Sequence, residues 1–471
     1  MRKIIAFCLV LVMLITSFGC AGGNDPVSIT TATTVTTVTS EIPPEPTTIG
    51  LINENGEAAY RIILPENRTE VEAKAGTDLN RSLKELTNTT FMLNSDFLAA
   101  EESVDDLADV CEILIGATNR PESVRAAEGL SDNEYVIRVD GAKIVIAGGS
   151  DAAIYKAMER FFAMIEESDG FTVSKDTSIK EEIVREPYLV ALTNQGKSCL
   201  EVYDISEGKL DETSLVWSYE LPKYNIAGTK FRHSEEYGDV ALAVYGKKYA
   251  CMISYPEGEL LWSTSKAADN PHSIELLPNG VIAVASSDGR EIRFFVPSGS
   301  SSGNYVASVT LADAHGVLWD DEKQILWAIG RRVLTAYRVT LDAEGNVSVV
   351  EDSSCRAMIP TDYAHDLAPV YGNTNLLWIS TGSSVYQFNK TTKSFSTAYN
   401  GASSVNRVGV KGIGSFNDGS IVYIYPDGAF KTWTSQSMVL MTNTGGILTS
   451  AVLKSETGHF YKVRVWDTRY Q

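Results

Sequence analysis

Histidine is scarce in this 471-residue chain, with five in all. A histidine-rich metal tract is thereby excluded, and any imidazole chemistry must come from positions that the fold gathers. Positive charge is short as well: 40 Lys and Arg stand against 60 Asp and Glu, a net charge of −20. Nucleic acid and anionic lipid both need a basic patch, so the composition argues against either as a ligand. Six cysteines are present. Beyond Cys8 and Cys20, the remaining Cys111, Cys199, Cys251 and Cys355 are far apart, and no C-x-x-C spacing occurs, which removes a thiolate metal site. Buried free thiols are expected, with one or two disulfides as the alternative. Long apolar runs are missing except at residues 4–15, which are too few to span a bilayer as a finished helix.

That run has the form of a targeting segment. Arg2 and Lys3 precede it, and Ser17-Phe18-Gly19-Cys20 follows. The tetrapeptide resembles a bacterial lipoprotein processing site, with Cys20 as the lipidated first residue of the mature chain. Ser17 stands where Leu is usual in such sites, so export without a lipid is the alternative. Residues 1–20 are therefore expected to be a signal peptide. Residues 21–50, rich in Thr, Ser and Pro, cannot bury a core and read as a stalk. The expected location is outside the cytoplasm of a bacterium, held to the membrane through the lipid anchor alone.

Residues 51–183 alternate strand and helix patterns. Val71, Leu79, Leu83 and Leu86 share one helical face, and Asp140-Gly141 marks a hairpin turn. Ser150 or Asp151 caps a helix that begins AAIYKAMERFF. The segment reads as a small α/β sandwich domain. Gly148-Gly149 ahead of that helix reads as a plain turn, since the full phosphate-binding glycine fingerprint is missing.

Residues 186–471 lose helical periodicity and become a succession of short β-rich runs with Gly, Asn and Asp turns. Here four of the histidines recur: His233, His272, His315 and His365 lie 39, 43 and 50 residues apart, and Lys411 follows after 46. A repeat of this length built from short strands is the signature of a propeller. The predicted fold class is mainly β, a six-bladed β-propeller preceded by the small α/β domain, with seven blades as the alternative. Blades are expected to begin near residues 188, 229, 271, 314, 364 and 408. The first lacks an inner strand of its own. Either GHFYKVRVWD supplies it and closes the ring, bringing His459 into phase, or FYKVRVW is an outer strand of the last blade.

Three resemblances accompany these patterns. At EILIGATNRPES and YVIRVDGAKIVIAGGSDAAIYKAMERFF the first domain resembles the accessory domain that precedes the catalytic barrel of family 20 hexosaminidases and α-glucuronidases, which implies a carbohydrate setting. At PHSIELLPNG, AHGVLWD with LWAIG, and HDLAPVYG with LLWIST, the second half resembles a family of bacterial β-propeller domains that carries no agreed function. The histidine layout is similar to that of oligogalacturonate lyases, which hold a divalent metal with histidines from successive blades, and of bacterial arylsulfotransferases, which use a channel histidine as sulfate carrier.

Histidines that open inner strands gather at one mouth of the channel. His272, His315 and His365, with His233 or water as a fourth partner, are the candidate ligands of a divalent transition metal, Mn or Zn. Lys230 and His233 have odd spacing, so only one of them can join the cluster. Lys230, Lys411 and Asp366 are the candidate catalytic residues, the lysines as proton acceptors and Asp366 as an acid/base or orienting group, a role Asp320 shares. Holding the blades in register is the structural use of the same imidazoles. Trp319, Trp327, Trp378 and Tyr371 offer ring faces to a sugar, with blade packing the stronger expectation for Trp327 and Trp378. Three functions follow. The first is a metal-assisted lyase of acidic polysaccharide; the others are a non-catalytic glycan- or protein-binding propeller and a histidine-based group transferase.

Overall fold

Alternation of buried and exposed residues over short runs yields six four-stranded antiparallel sheets, the fourth with one extra short strand. The computed structural model describes residues 47–222, 225–297 and 303–470. The expected signal peptide, Cys20 and the stalk as far as Pro46 lie outside the described residues. Thr48–Gly50, assigned to the stalk by composition, instead form a strand paired with Thr172–Ser174.

The sheets are the blades of a β-propeller. Blades two to six begin with inner strands Ile226–Ser234, Pro271–Leu276, Gly316–Asp320, Asp366–Pro369 and Gly412–Ser415. Blade one takes its inner strand from the C-terminal end: Phe460–Val465 pairs antiparallel with Leu189–Asn194. The first and last parts of the propeller sequence thus share one sheet, which closes the ring and leaves no open edge there.

The faces of neighbouring blades are apolar and interlock. Trp327 sits between blades four and five with Leu367, Leu377 and Phe388. Its indole N–H donates to Asp320 at 2.9 Å. Trp378 fills the same place between blades five and six and donates to Ser415 Oγ at 3.1 Å. Both rings are fully buried, so packing is their role. Asp320 also accepts from Lys390 Nζ at 2.6 Å, which makes it a structural ion pair.

Residues before the propeller form a six-stranded mixed sheet. Helices Glu70–Thr87 and Asp151–Glu167 cover one face through Leu79, Leu83, Ala157 and Phe161. Helix Pro121–Ala127 covers the other through Ala126. The hairpin turn falls one residue later than its sequence suggests: Asp140 pairs with Lys143, and Gly141, at φ 61°, takes the first central position. Ser150 caps the third helix by accepting from Ala153 N. This layer abuts blade six, where Tyr155 lies so close to Gly445 that an added Cβ would meet its ring at 2.3 Å. Among the described residues no helix is long and apolar enough to cross a membrane. The four described cysteines are free, and of them only Cys251 is buried.

Candidate functional site at the histidine mouth

Each inner strand delivers one residue to the same level of the channel. Blade three gives His272, blade four His315, blade five His365 and blade six Lys411. The rings of His272 and His315 face each other, centroids 4.2 Å apart and 20° from parallel. His365 stands edge-on to His315 at 5.5 Å. Lys411 Nζ lies 2.9 Å from His365 Nε2. An ammonium has only donors, so it donates to Nε2 and fixes His365 as the Nδ1–H tautomer. That Nδ1 is buried and has no protein partner.

Blades one and two complete the ring in a way the repeat did not foretell. At this level blade two carries Gly228, where an added Cβ would lie 2.3 Å from the backbone oxygen of His272. A side chain there would collide with the next blade. Tyr461 of blade one reaches across the space, its hydroxyl 3.4 Å from His272 Nδ1. His459 does not join: its ring stacks on Phe430 at 4.4 Å. His233 does not join either. It lies five residues beyond Gly228, about 17 Å along the strand, where it is exposed and pairs with Asp239 at 2.7 Å.

Below the mouth the channel is filled by ion pairs. Lys230 donates to Glu275 at 2.9 Å and to the Val317 carbonyl at 2.6 Å. Arg232 grips the same carboxylate at 2.7 and 3.0 Å. Asp366 is held by Lys462 at 3.2 Å and by Arg464 at 2.6 Å, and it accepts from Ile413 N. Lys230 and Asp366, two of the expected catalytic residues, are thus buried inside structural clusters and do not face the mouth. The links from blade one to blade five and from blade two to blade four each reach past an intervening blade, so buried side chains pack inside the channel. Arg232 also donates to the Arg469 carbonyl at 3.1 Å and lies over the Tyr470 ring, so the C-terminal residues cover the opposite mouth.

Four cations here share two carboxylates, and that imbalance shapes the titration. Burial pulls Lys230 down to about 7 and Lys462 down to about 8, against the pull of Glu275 and Asp366. Asp366 is held down to about 2, the pairing with Arg464 and Lys462 outweighing burial. At the mouth, burial followed by the nearby Lys411 and His315 pushes His365 down to about 3. Burial and His315 likewise push His272 well below the ordinary imidazole value. Both rings are therefore neutral at physiological pH. Lys411 is lowered by burial to about 8 and remains mainly protonated at neutrality.

A metal ion is bound along in-plane lone pairs, and rings stacked face to face direct those pairs along nearly parallel lines. His272 and His315 do not converge on one point, and His365 Nε2 is taken by Lys411. Among the described residues no three His, Cys, Asp or Glu side chains are arranged to hold a metal ion. The mouth also carries charged groups: Asp313 lies 3.1 Å from His315 Nδ1, and several cations stand nearby. Arg331 lies over Tyr363 at 4.6 Å and donates to its hydroxyl. Arg407 lies 3.6 Å over Tyr425. Lys431 donates to Asn225 at 2.6 Å. Arg407 lies in the loop that leads to Lys411, while Arg331 and Lys431 sit in the connections between the second and third strands of blades four and six. Neighbouring Arg332 and Lys248 pair with Asp362 and Asp269. Arg331, Arg407, Lys411 and Lys431 have no carboxylate at ion-pairing distance among the described residues. Tyr461, Lys462, Arg331, Arg407 and Lys431 were not expected from the sequence, because only histidine spacing pointed to this mouth.

No curated protein matches this chain. Solved structures with similarity include a functionally unknown protein from Desulfotomaculum acetoxidans DSM 771, at 8% identity and a TM-score of 0.36, covering 56% of this chain and 78% of that one. Another is a chain in a crystal structure of the mitotic checkpoint complex, at 12% identity and a TM-score of 0.37, covering 59% and 81%. A protein-family model matches residues 152–462, more than half of the sequence, and the chain belongs to that family, the family of unknown function DUF6528.

Proposed function

We propose that this chain is an exported, lipid-anchored surface protein whose propeller binds acidic polysaccharide at the histidine mouth, with a sugar carboxylate received by Lys411. One observation carries the reading: in a chain of net charge −20, four cations without carboxylate partners surround one channel mouth. Cations without an ion-pair partner favour an incoming anion, and the neutral rings of His272 and His365 beside them add hydrogen-bonding capacity without adding charge. Lipidation at Cys20 and the Thr-rich stalk would present the propeller away from the membrane. The likeness of residues 51–183 to accessory domains of glycoside hydrolases supports a carbohydrate setting.

Catalysis is the second reading, favoured by the lowered pKa of Lys411. An amine titrating near 8 has a neutral fraction able to take the C5 proton of a uronate while the bond to the C4 glycosidic oxygen breaks. Affinity electrophoresis through gels containing uronic-acid or neutral polysaccharides tests the first reading, and near-ultraviolet absorbance of an unsaturated product tests the second. Retardation by acidic polymers alone is the expected result. Migration unaffected by any of them would end the proposal.

A further inference from the structure

The loop between Ile424 and Ser437 does something unusual with its aromatic residues. Phe430 and Trp433 keep 49% and 44% of their surface exposed, yet both are held firmly. Phe430 stacks on His459, centroids 4.4 Å apart. The Trp433 indole N–H donates to Gln195 at 3.0 Å, and Gln195 is itself tied to the Ile226 carbonyl at 3.0 Å. Lys431 bridges from this loop to Asn225 at 2.6 Å, its ammonium 5.3 Å from the Phe430 ring and 5.6 Å from the Trp433 ring. Asp427 braces the base by accepting from Ala429 N, Gln436 N and Ser435 Oγ. Rigid, half-exposed aromatic faces beside a cation that has no carboxylate partner are what a ring bearing a carboxylate requires: the apolar face of the sugar stacks while its anion meets the ammonium.

The location extends the argument. His459 immediately precedes the inner strand of blade one, two residues before Tyr461, and Asn225 precedes the inner strand of blade two. The platform therefore overlies the blade-one and blade-two side of the mouth. On the blade-four and blade-five side, Tyr363, 50% exposed, presents a second ring beside Arg331. Lys411 lies between the two.

We infer that Phe430, Lys431 and Trp433 form a separate sugar-binding subsite, so that the protein recognises a run of consecutive uronic-acid residues spanning the mouth from Trp433 past Lys411 toward Tyr363. This rests on the acidic-polysaccharide reading and makes a demand that reading does not: affinity must grow with chain length, and the growth must depend on the platform. Titration calorimetry with galacturonic acid and with its trisaccharide, on the mature chain, measures it. The wild type is expected to bind the trisaccharide about tenfold or more tightly than the monosaccharide, the contribution of a stacked ring. Trp433→Ala should abolish that gain and leave monosaccharide binding in place, and Trp433→Phe, which keeps the ring face, should retain most of it. A wild type that binds both ligands equally, or a Trp433→Ala variant that keeps the full gain, overturns the subsite while the Lys411 reading stands. Binding of neither ligand removes both.

Discussion

Lys411 Nζ and His365 Nε2 lie 2.9 Å apart, an ammonium whose partner is a neutral ring. A cation so placed keeps its charge available for a ligand. Because Lys411 titrates near 8, anion binding is expected to be at full strength below that pH and to fade as pH rises through it. Lys411→Met should weaken binding of a uronate by about tenfold or more at pH 7, the loss of one charge-assisted hydrogen bond of roughly 1.5–3 kcal/mol. Titrations of both proteins between neutral and alkaline pH check the slope and its absence in the variant.

The same burial makes the fold acid-sensitive. His365 and His272 are held neutral in the folded chain, His365 down to about 3, whereas an unfolded imidazole titrates near 6.5. Between those values the unfolded chain binds more protons, so stability is complete above about 6.5 and falls as pH drops below it. The expected slope is up to about 1.4 kcal/mol per pH unit for each ring. Lys411, His315, Lys462, Asp313 and Tyr461 all face these rings, and none of their carboxyl or phenol groups titrates inside that window in the folded chain. Chemical denaturation at pH 7 and pH 5 should show the loss, and His365→Asn should reduce it. Asp366, held down to about 2, adds stability that is present above about 4 and disappears only under stronger acid.

Glu275 holds Lys230 and Arg232 with no water access. Glu275→Gln leaves two buried cations without their counter-ion, and a loss of about 3–5 kcal/mol is expected. A shift of the denaturation midpoint under about 1 kcal/mol would mean that the axial ion clusters do not carry the propeller's stability. Asp366→Asn, which exposes Lys462 and Arg464 to the same imbalance, should behave alike.

Stacking of His272 on His315, with His365 engaged by Lys411, leads to a plain expectation for metal analysis. Protein purified without chelator should carry no stoichiometric manganese or zinc, and chelation should leave polysaccharide binding unchanged. One equivalent of tightly held metal, lost together with binding on chelation, would restore the lyase-like layout.

The propeller was legible because its repeat is written in both strand patterning and chemistry: the frames around His272, His315 and His365 open three consecutive inner strands at one level. Blade two broke the phase. Its inner strand runs for nine residues, Ile226–Ser234, so the basic residues that seemed to continue the series fall far down the channel, while the level of the ring is occupied by Gly228. Nothing in a spacing pattern signals that a glycine is needed for close approach to His272. The closing strand was one of two readings, and its bulge between Phe460 and Val463 is what shifts the ring position to Tyr461. Lys230 and Asp366 look like catalytic groups in sequence because they lie at or beside the phase of the histidine repeat. Their partners, Glu275 and Arg464, come from other blades and become visible only once the ring is closed. The cations of the rim sit in loops of unequal length, where no periodicity marks them.

The most direct test of the account compares one polymer in two charge states. Polygalacturonate and its fully methyl-esterified form share a backbone and differ in the carboxylate that Lys411 is held to receive. Calorimetric titration of the mature chain should detect binding to the free acid and none to the ester, with the signal reduced about tenfold or more in Lys411→Met. Equal binding to both polymers, or binding to the free acid that Lys411→Met leaves untouched, would contradict the assignment of the histidine mouth as an acidic-polysaccharide site.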